Sequence, residues 1–194
     1  MKQSFLKINE ITEPPHSKIW VYPRGTKAQI KSRIKELESL GVESVSFQGE
    51  LEIDNINVLG KGYVGIVVLC KIGKKKVAVK IRRIDSQRKN LKKEAEFLTI
   101  TNRFNVGPKL LGFSKNFLVI EYLDGEKIGK WINKLKEKPN VVQLKNIIKK
   151  TLTDCYKLDK MGLDHGELSN ITKHVIVGKK ITILDFESSS VDRR

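Results

Sequence analysis

Three short segments of the chain carry residue types suited to phosphate and metal chemistry. The first, Leu59-Gly-Lys-Gly-Tyr-Val-Gly-Ile-Val67, is a glycine-rich turn between two apolar runs. The second, Val77-Ala-Val-Lys80, ends with a lysine, and the third, Ile183-Leu-Asp-Phe-Glu187, places a carboxylate just after an apolar run. A glycine turn lets the backbone approach phosphate closely, and carboxylate oxygen is the ligand that hard Mg²⁺ prefers. These types in this order therefore indicate nucleotide chemistry.

The residues that follow the glycines separate two kinds of nucleotide fold. A Gly-x-Gly-x-x-Gly pattern also occurs in dinucleotide-binding folds, but there a helix must follow, because its N-terminus binds the pyrophosphate. Here the next residues, Ile66-Val-Val-Leu-Cys70, are apolar and largely β-branched, and a turn at Gly73 and a further strand come after them. This pattern predicts a β-hairpin with the glycines covering phosphate. No Gly-x-x-x-x-Gly-Lys-Ser/Thr sequence is present, so a Walker-type loop is excluded.

Hydrophobic periodicity predicts the elements that position these segments. From Ile56 onward, period-2 patterns predict strands and period-3.6 patterns predict helices. The expected strands are one leading into Leu59, then 66–71, 76–81, 109–113, 117–122, 174–177 and 180–184. The expected helices are 86–102, 127–135 and 141–161, and residues 164–173 are expected to form a loop.

Residues 1–55 are expected to form a separate extension. Ile19-Trp-Val-Tyr22 reads as a strand stopped by Pro23, and residues 42–53 read as another strand or hairpin. Between them, Thr26 is a plausible N-cap for a helix that ends at Gly41. No catalytic constellation is visible in this strand–helix–strand segment.

The chain of 194 residues is strongly basic, with a net charge of +16. Between Lys71 and Lys93, eleven lysines and arginines are accompanied by one acidic residue, Asp85. Such a surface can attract RNA, a ribosomal complex or an acidic protein. It can equally be a solvated lysine-rich surface, and the sequence leaves both interpretations open.

Cysteine usage and hydropathy indicate a soluble cytoplasmic protein without a membrane partner. Cys70 and Cys155 match no metal or redox spacing and read as buried thiols in a reducing compartment. The N-terminus lacks an apolar signal core, and the longest apolar run, 64–70, is far shorter than the roughly 20 residues of a membrane span.

The segment from Leu59 to Glu187 resembles compact archaeal predicted serine/threonine protein kinases, related to RIO-type kinases and to the kinase of the KEOPS tRNA-modification complex. The resemblance implies an α+β, protein-kinase-like bilobal fold. Residues 56–123 would form the N-lobe and residues 124–194 a truncated C-lobe, with residues 1–55 as the small N-terminal strand–helix–strand extension.

The resemblance also implies roles in holding ATP. Lys80 would contact the α- and β-phosphates, oriented by a helix glutamate, for which Glu94 fits the pattern better than Glu96. Within Phe117-Leu-Val-Ile-Glu-Tyr-Leu123, Ile120 would be the gatekeeper, and Glu121 and Leu123 would offer a backbone carbonyl and N–H to adenine. The glycine loop and the adenine roof would comprise Leu59, Gly60, Gly62, Gly65, Val67 and Ala78.

The expected catalytic loop, His165-Gly-Glu-Leu-Ser-Asn170, departs from the kinase pattern His-x-Asp-Leu followed by a metal-binding asparagine. Glu167 stands at the position of the aspartate that accepts the substrate proton. The register places Thr172 at the position of the asparagine, and Asn170 and His174 are close enough to replace it. Asp185 would hold Mg²⁺, with Glu187 at the usual glycine position. The following serines, 188–190, read either as autophosphorylation sites or as a polar strand exit.

The leading functional hypothesis is therefore transfer of the γ-phosphate of Mg-ATP to a serine or threonine hydroxyl of a protein. One alternative is an ATPase-type switch that acts on an RNA or ribosomal complex, motivated by the charge. The other is a pseudokinase that binds nucleotide without turnover, motivated by Glu167 and the missing asparagine. The sequence does not indicate an oligomeric state.

Overall fold

The computed structural model describes residues 4–135 and 140–191 and shows a mixed α+β chain in which every described strand pair is antiparallel. The chain divides into two compact units. The first unit comprises Met1–Ala95 and Leu110–Tyr122, and the second comprises Glu96–Lys109 and Leu123–Arg194. Residues 1–55, set apart as an extension on sequence grounds, lie in the first unit together with the glycine loop.

The bounds of the elements in chain order are as follows. The strands are β1 (Leu6–Lys7), β2 (Ser44–Ser46), β3 (Leu51–Ile53), β4 (Ile56–Val58), β5 (Gly60–Lys61), β6 (Gly65–Ile72), β7 (Lys75–Arg82), β8 (Leu110–Phe113), β9 (Phe117–Glu121), β10 (Gly125–Lys127), β11 (Val175–Gly178) and β12 (Ile181–Ile183). The α-helices are α1 (Lys27–Ser39), α2 (Lys92–Asn102), α3 (Ile128–Leu135), α4 (Val141–Lys160) and α5 (Ile171–His174). Short 3-10 helices occur at Ile8–Glu10, His16–Val21, Leu168–Asn170 and Phe186–Ser188.

The main sheet of the first unit has the order β1-β2-β6-β7-β9-β8, with β5 also paired to β6. Its centre is the β6–β7 hairpin, whose register runs from Gly65 opposite Arg82 to Ile72 opposite Lys75. The hairpin predicted after the glycines is therefore confirmed, because a strand and not a helix follows them. Alternation along these strands sends one set of side chains into the core against α1 and leaves Ala78 and Lys80 on the other face.

The prediction of a strand at Ile19–Tyr22 is wrong, since His16–Val21 is a 3-10 helix. The consecutive residues Ile19, Trp20 and Val21 are all buried, which a helical turn allows and a strand with one solvated face does not. The Trp20 Nε1–H donates to the carbonyl of Ile11 at 3.2 Å, so the ring is fixed within the core.

The helix predicted between Thr26 and Gly41 is confirmed as α1. Thr26 Oγ1 accepts from the N–H of Gln29 at 3.2 Å, and the Gln29 side chain accepts from the N–H of Thr26 at 2.8 Å, which forms a capping box. The predicted strand or hairpin over 42–53 is instead divided between two sheets. β2 pairs with β6 in the main sheet, whereas β3 pairs with β4.

Arg33 links α1 to the main sheet and was missed by the sequence reading. It is buried on the apolar face of the helix, next to Ile34. Its guanidinium donates to the carbonyls of Trp20 and Arg82 and to Asn116 Oδ1. Burial lowers its pKa to about 10, helped by the charge of Arg82 and opposed by Glu36.

Helix α2 begins at Lys92 and not at Ser86 as predicted. Asn90 precedes it, and its side-chain Oδ1 accepts from the N–H of Lys92 at 3.0 Å, which is the behaviour of a residue at a helix start. Leu91 is buried, and its N–H donates to the carbonyl of Lys115 at 3.2 Å. The later start places Glu94 in the first turn of the helix.

The second unit contains α3, α4, α5 and a three-stranded sheet in the order β10-β11-β12. Asn140 caps α4 through its Oδ1, which accepts from the N–H of Gln143 at 2.9 Å. The buried side of α4 comprises Ile147, Thr151, Asp154 and Leu158, spaced as one helical face. The predicted loop over 164–173 is incorrect in part, because it contains a 3-10 helix and most of α5.

The two cysteines, both expected to be buried, differ in their exposure to solvent. Cys70 is fully buried and burial raises the pKa of its thiol, whereas Cys155 is half-buried. Across residues 4–135 and 140–191, no helix combines the length and the apolar character needed to cross a membrane.

Candidate functional site

In the first unit, the strand lysine and a helix glutamate form a buried ion pair. Lys80 Nζ lies 2.9 Å from Glu94 Oε1 and 2.9 Å from Glu94 Oε2. The two side chains are only 8% and 7% exposed. Of the two glutamates that the sequence left open, Glu94 is the partner of Lys80, whereas Glu96 lies on the exposed side of α2. The pair fixes the position of the ammonium group on the sheet.

The glycine loop turns back closely onto its own strands. The N–H of Gly62 donates to the carbonyl of Gly65 at 2.8 Å, and the N–H of Leu59 donates to the carbonyl of Val67 at 2.8 Å. A Cβ atom placed on Gly65 would lie 2.8 Å from the carbonyl oxygen of Ile81 and 3.1 Å from Lys80 Cγ. Only glycine therefore lets this strand pass so close to the lysine.

Two residues that the sequence reading missed hold this loop from the side. Arg83 donates from its backbone N–H to the carbonyl of Val64 at 2.9 Å and from its side chain to the carbonyl of Gly62 at 3.3 Å. The Tyr22 ring has the cationic groups of Lys61 and Arg83 within 5.0 and 5.4 Å of its centroid. No short motif signals these contacts, because they join positions far apart in the chain.

The sheet brings together several of the residues expected around adenine. Val67 pairs with Lys80, and Ala78 pairs with Ile120 on the next strand. Glu121 pairs with Val77 at the end of β9, and Leu123 is a half-buried residue that follows this strand. The expected main-chain contacts of Glu121 and Leu123 remain a prediction.

In the second unit, Glu167, His174 and Asp185 converge, with ligand atoms that all lie within 4.8 Å of one another. Glu167 uses both carboxylate oxygens. Its Oε1 accepts from the hydroxyl of Ser188 at 2.5 Å, and its Oε2 lies 3.2 Å from His174 Nε2. The Glu167 side chain is 35% exposed and that of His174 is 10% exposed, so this carboxylate retains access to solvent.

His165 contacts the two residues that flank Asp185 in the sequence, Leu184 and Phe186. With its Nε2 protonated, the ring donates to the carbonyl of Leu184 at 2.8 Å, and it packs edge-on against Phe186 at 5.0 Å. Burial lowers the pKa of His165, and nearby His174 acts in the same direction, while the bond to Leu184 opposes both. A neutral imidazole is therefore the stable form at neutral pH, and its contacts fix the backbone just before Asp185.

Gly166 allows the segment with Glu167 to lie against the segment with Ser188. Its φ is +84°, and a Cβ atom there would lie 2.6 Å from the carbonyl oxygen of Ser188. Asp164 and Ser190 exchange two backbone hydrogen bonds of 2.9 Å on the far side. Any larger residue at 166 would separate the two segments, so the glycine is required for the contact between Glu167 and Ser188.

The donor atoms of this cluster suit a divalent cation. Carboxylate oxygens such as those of Glu167 and Asp185 are the ligands that Mg²⁺ prefers, and an imidazole nitrogen is a softer donor. Among the candidates for the asparagine position, His174 is the one that reaches the carboxylates. The other two, Asn170 and Thr172, are exposed and joined to each other, with the Thr172 hydroxyl 2.5 Å from Asn170 Oδ1.

Asp185 has a left-handed backbone with φ of +68°, which is uncommon for residues other than glycine and which aspartate and asparagine tolerate best. Such conformations occur frequently at functional sites. The residue directly precedes the short helix Phe186–Ser188, whose Phe186 is fully buried. The backbone that carries the Asp185 carboxylate therefore makes a sharp turn, and the buried side chain of Phe186 holds it in place.

Comparison with known proteins gives no match, either to a protein-family model or to a curated protein sequence. The geometry of the two groups, Lys80 with Glu94 and Glu167 with Asp185, is therefore the basis on which a function is assigned.

Proposed function

We propose that this protein is a kinase that transfers the γ-phosphate of Mg-ATP to a serine or threonine hydroxyl of a protein. The observation that carries the proposal is the buried ion pair between Lys80 and Glu94. In protein kinases, a strand lysine that holds nucleotide phosphates must be paired with a helix glutamate. An isolated surface lysine would not be fixed in this manner.

The neighbours of the pair support the same interpretation. The glycine loop precedes the lysine strand in a hairpin, and a Cβ atom on Gly65 would lie 3.1 Å from Lys80 Cγ. Backbone N–H groups of such a loop and the ammonium group can together neutralise phosphate oxygens. A protein-kinase-like bilobal fold with a reduced C-lobe is part of the proposal.

The cluster of Glu167 and Asp185 would supply the second half of the chemistry. Asp185 would hold Mg²⁺, with His174 as a further donor, and Glu167 would accept the proton of the acceptor hydroxyl. When bound, Mg-ATP supplies the phosphoryl group and ADP as leaving group. Glutamate has the same carboxylate as the aspartate usually found in kinases but carries it one methylene further out. Its hydrogen bond to the Ser188 hydroxyl supports the role of a carboxylate that positions hydroxyl groups.

Transfer of labelled γ-phosphate to a generic protein acceptor tests this proposal. Lys80→Met should abolish labelling, because the phosphates lose their cation and Glu94 loses its partner. Lys75→Met, an exposed position on the same strand, is the matched control and should retain labelling. Equal labelling by both variants would contradict the assignment of Lys80.

A second candidate function is an ATPase-type switch that acts on an RNA complex. It is favoured by the exposure of Lys74, Lys75 and Lys76 at the β6–β7 turn and of several further cations before and within α2. Electrostatic RNA binding weakens steeply as salt increases. Single-stranded and double-stranded RNA should then bind more weakly to a Lys74→Glu/Lys75→Glu variant than to Lys145→Glu, an exposed control on α4. Salt-independent affinity, or no stimulation of ATP hydrolysis by RNA, would reject this candidate.

A further inference from the structure

The hydroxyl of Ser188 occupies the position next to Glu167 that an acceptor hydroxyl requires. Its Oγ lies 2.5 Å from Glu167 Oε1, which is within the distance over which a general base can take a proton. The contact is an interaction between two segments 21 residues apart in the chain. It therefore results from how the folded segments pack and not from local sequence.

Backbone structure makes this contact specific. The backbone of Gly166 lies so close to Ser188 that a Cβ atom at position 166 would be 2.6 Å from the Ser188 carbonyl oxygen. The backbone hydrogen bonds between Asp164 and Ser190 hold the same two segments together. Phe186, fully buried two residues earlier, anchors the short helix that presents Ser188. The hydroxyl is therefore held at the carboxylate by structure on both sides of it.

The neighbouring serines do not share this environment. Ser189 is 2% exposed, and its hydroxyl faces the backbone carbonyl of His165 at 3.4 Å. The Ser190 hydroxyl oxygen is buried and has no hydrogen-bond partner among the described residues. Ser188 is half-buried, and among these three serines it alone has a hydrogen bond to a carboxylate.

We propose that Ser188 is a phosphorylation site that this chain modifies in cis, with Glu167 as the base. The inference rests on the proposed kinase function and names an acceptor for it. The Ser188 oxygen forms a bond to the γ-phosphorus of ATP, and the bond from that phosphorus to the β–γ bridging oxygen breaks. ADP leaves with the electron pair of that bond, and the serine proton moves to Glu167 and then to solvent.

Two properties follow from the geometry. Because Ser188, Glu167 and Asp185 belong to the same compact unit of one chain, the rate per chain should not depend on protein concentration. A phosphate on Ser188 also adds negative charge beside the carboxylates of Glu167 and Asp185. Repulsion between these charges disfavours the present contact between residue 188 and Glu167. The modification would therefore move this serine away from Glu167 and open the position to other hydroxyl groups.

The test incubates the full chain with Mg-ATP and maps phosphate by fragmentation mass spectrometry, which distinguishes the three serines. Wild type should carry phosphate on Ser188, and Ser188→Ala should lose that signal. Ser190→Ala is the matched control and should retain it. Ser188→Thr keeps a hydroxyl at the same position and should give phosphothreonine, which guards against a loss caused by misfolding in the alanine variant. Glu167→Gln should slow the reaction by about a hundredfold or more.

Mixing distinguishes reaction in cis from reaction in trans. A size-tagged Asp185→Asn chain added to wild type should remain unlabelled on Ser188, and labelling of this chain would overturn reaction in cis. Transfer to a generic acceptor with Ser188 unmodified would overturn the inference and leave the kinase function standing. No consumption of ATP under any condition would overturn both.

Discussion

Lys80 Nζ contacts both carboxylate oxygens of Glu94 at 2.9 Å, and both side chains are almost completely removed from solvent. Burial removes the hydration of both charged groups, and their mutual attraction offsets this desolvation cost only when both groups are present. Such a pair is weak evidence for stability but fixes a cation with little freedom. It joins the central hairpin of the sheet to the first turn of α2.

Removal of one partner of this pair should destabilise the protein. Glu94→Gln removes the carboxylate charge that faces the buried Lys80 ammonium group, and we expect a loss of about 3 kcal/mol in the free energy of unfolding. Urea denaturation measures this loss. Glu96→Gln, two residues along the same helix and exposed, is the control and should change stability by no more than about 0.5 kcal/mol. Equal effects of the two changes would show that the pair is not formed as described.

Two glycines of the same loop should differ sharply in their tolerance of alanine. A Cβ on Gly65 would lie 2.8 Å from the Ile81 carbonyl, whereas the nearest atom to a Cβ on Gly62 is 3.7 Å away. We expect Gly65→Ala to cost about 1–3 kcal/mol, because backbone must move, and Gly62→Ala to be nearly neutral. Thermal unfolding of the two variants provides the comparison. A neutral Gly65→Ala would mean that β6 does not approach β7 as closely as described.

Arg33 should contribute strongly to the stability of the first unit. Arg33→Met keeps the aliphatic stem but removes the guanidinium donor from the carbonyls of Trp20 and Arg82, whereas Asn116 Oδ1 still accepts from Arg82. We expect a loss of about 3 kcal/mol by urea denaturation, since each buried acceptor left without a partner costs about 1–3 kcal/mol. The exposed Lys31→Met on the same helix should be nearly neutral. A wild-type midpoint for Arg33→Met would refute the role of this network.

Stability should fall as the solution becomes mildly acidic, in part through His165. Burial lowers the folded-state pKa of His165 below the value of about 6.5 expected in the unfolded chain. Above pH 6.5 the residue is neutral in both states and contributes no pH dependence. Below it, the unfolded state binds the proton first, so stability falls with pH until the folded-state pKa is reached.

His165→Gln should therefore reduce the slope of stability against pH between about 7 and 5. Glutamine can still donate to the Leu184 carbonyl but does not titrate. The measurement is the unfolding free energy of the two proteins in matched buffers, with the values at pH 8 as the common reference. Parallel curves for the variant and wild type would contradict the assigned direction of the pKa.

Local patterns predicted those parts of the fold that local physics determines. The hairpin after the glycines followed from β-branched residues and a glycine turn, and α1 followed from Thr26 and apolar spacing. Glu94 could be favoured over Glu96 from sequence because Glu94-Ala-Glu-Phe-Leu98 fits the pattern of the kinases that the chain resembles. The strand predicted at Ile19–Tyr22 was wrong because an unbroken apolar run has no periodicity that distinguishes a strand from a buried helical turn.

Other features depend on contacts that no local pattern contains. The interaction of Glu167 with Ser188 and His174 arises from the packing of separate segments. The sequence predicted Glu167 as the catalytic carboxylate, but it left the roles of His174 and Ser188 open among alternatives. The sequence contains one indication of the role of Arg33, because this charged residue lies on the apolar face of α1 between Ile30 and Leu37. Helix α2 starts later than the apolar spacing suggested, because residues 86–91 are not helical and Asn90 Oδ1 accepts from the N–H of Lys92 as a residue at a helix start does.

Transfer of γ-labelled phosphate by wild type, Asp185→Asn and Asp54→Asn tests the central claim most directly. Both aspartates have a positive φ, +68° and +49°, and asparagine tolerates this conformation, so both variants should fold. The kinase account predicts that wild type and Asp54→Asn label protein from Mg-ATP and that Asp185→Asn does so at least about a hundredfold more slowly. Tight binding of Mg-ATP by wild type without any transfer, or equal transfer by both variants, would contradict it.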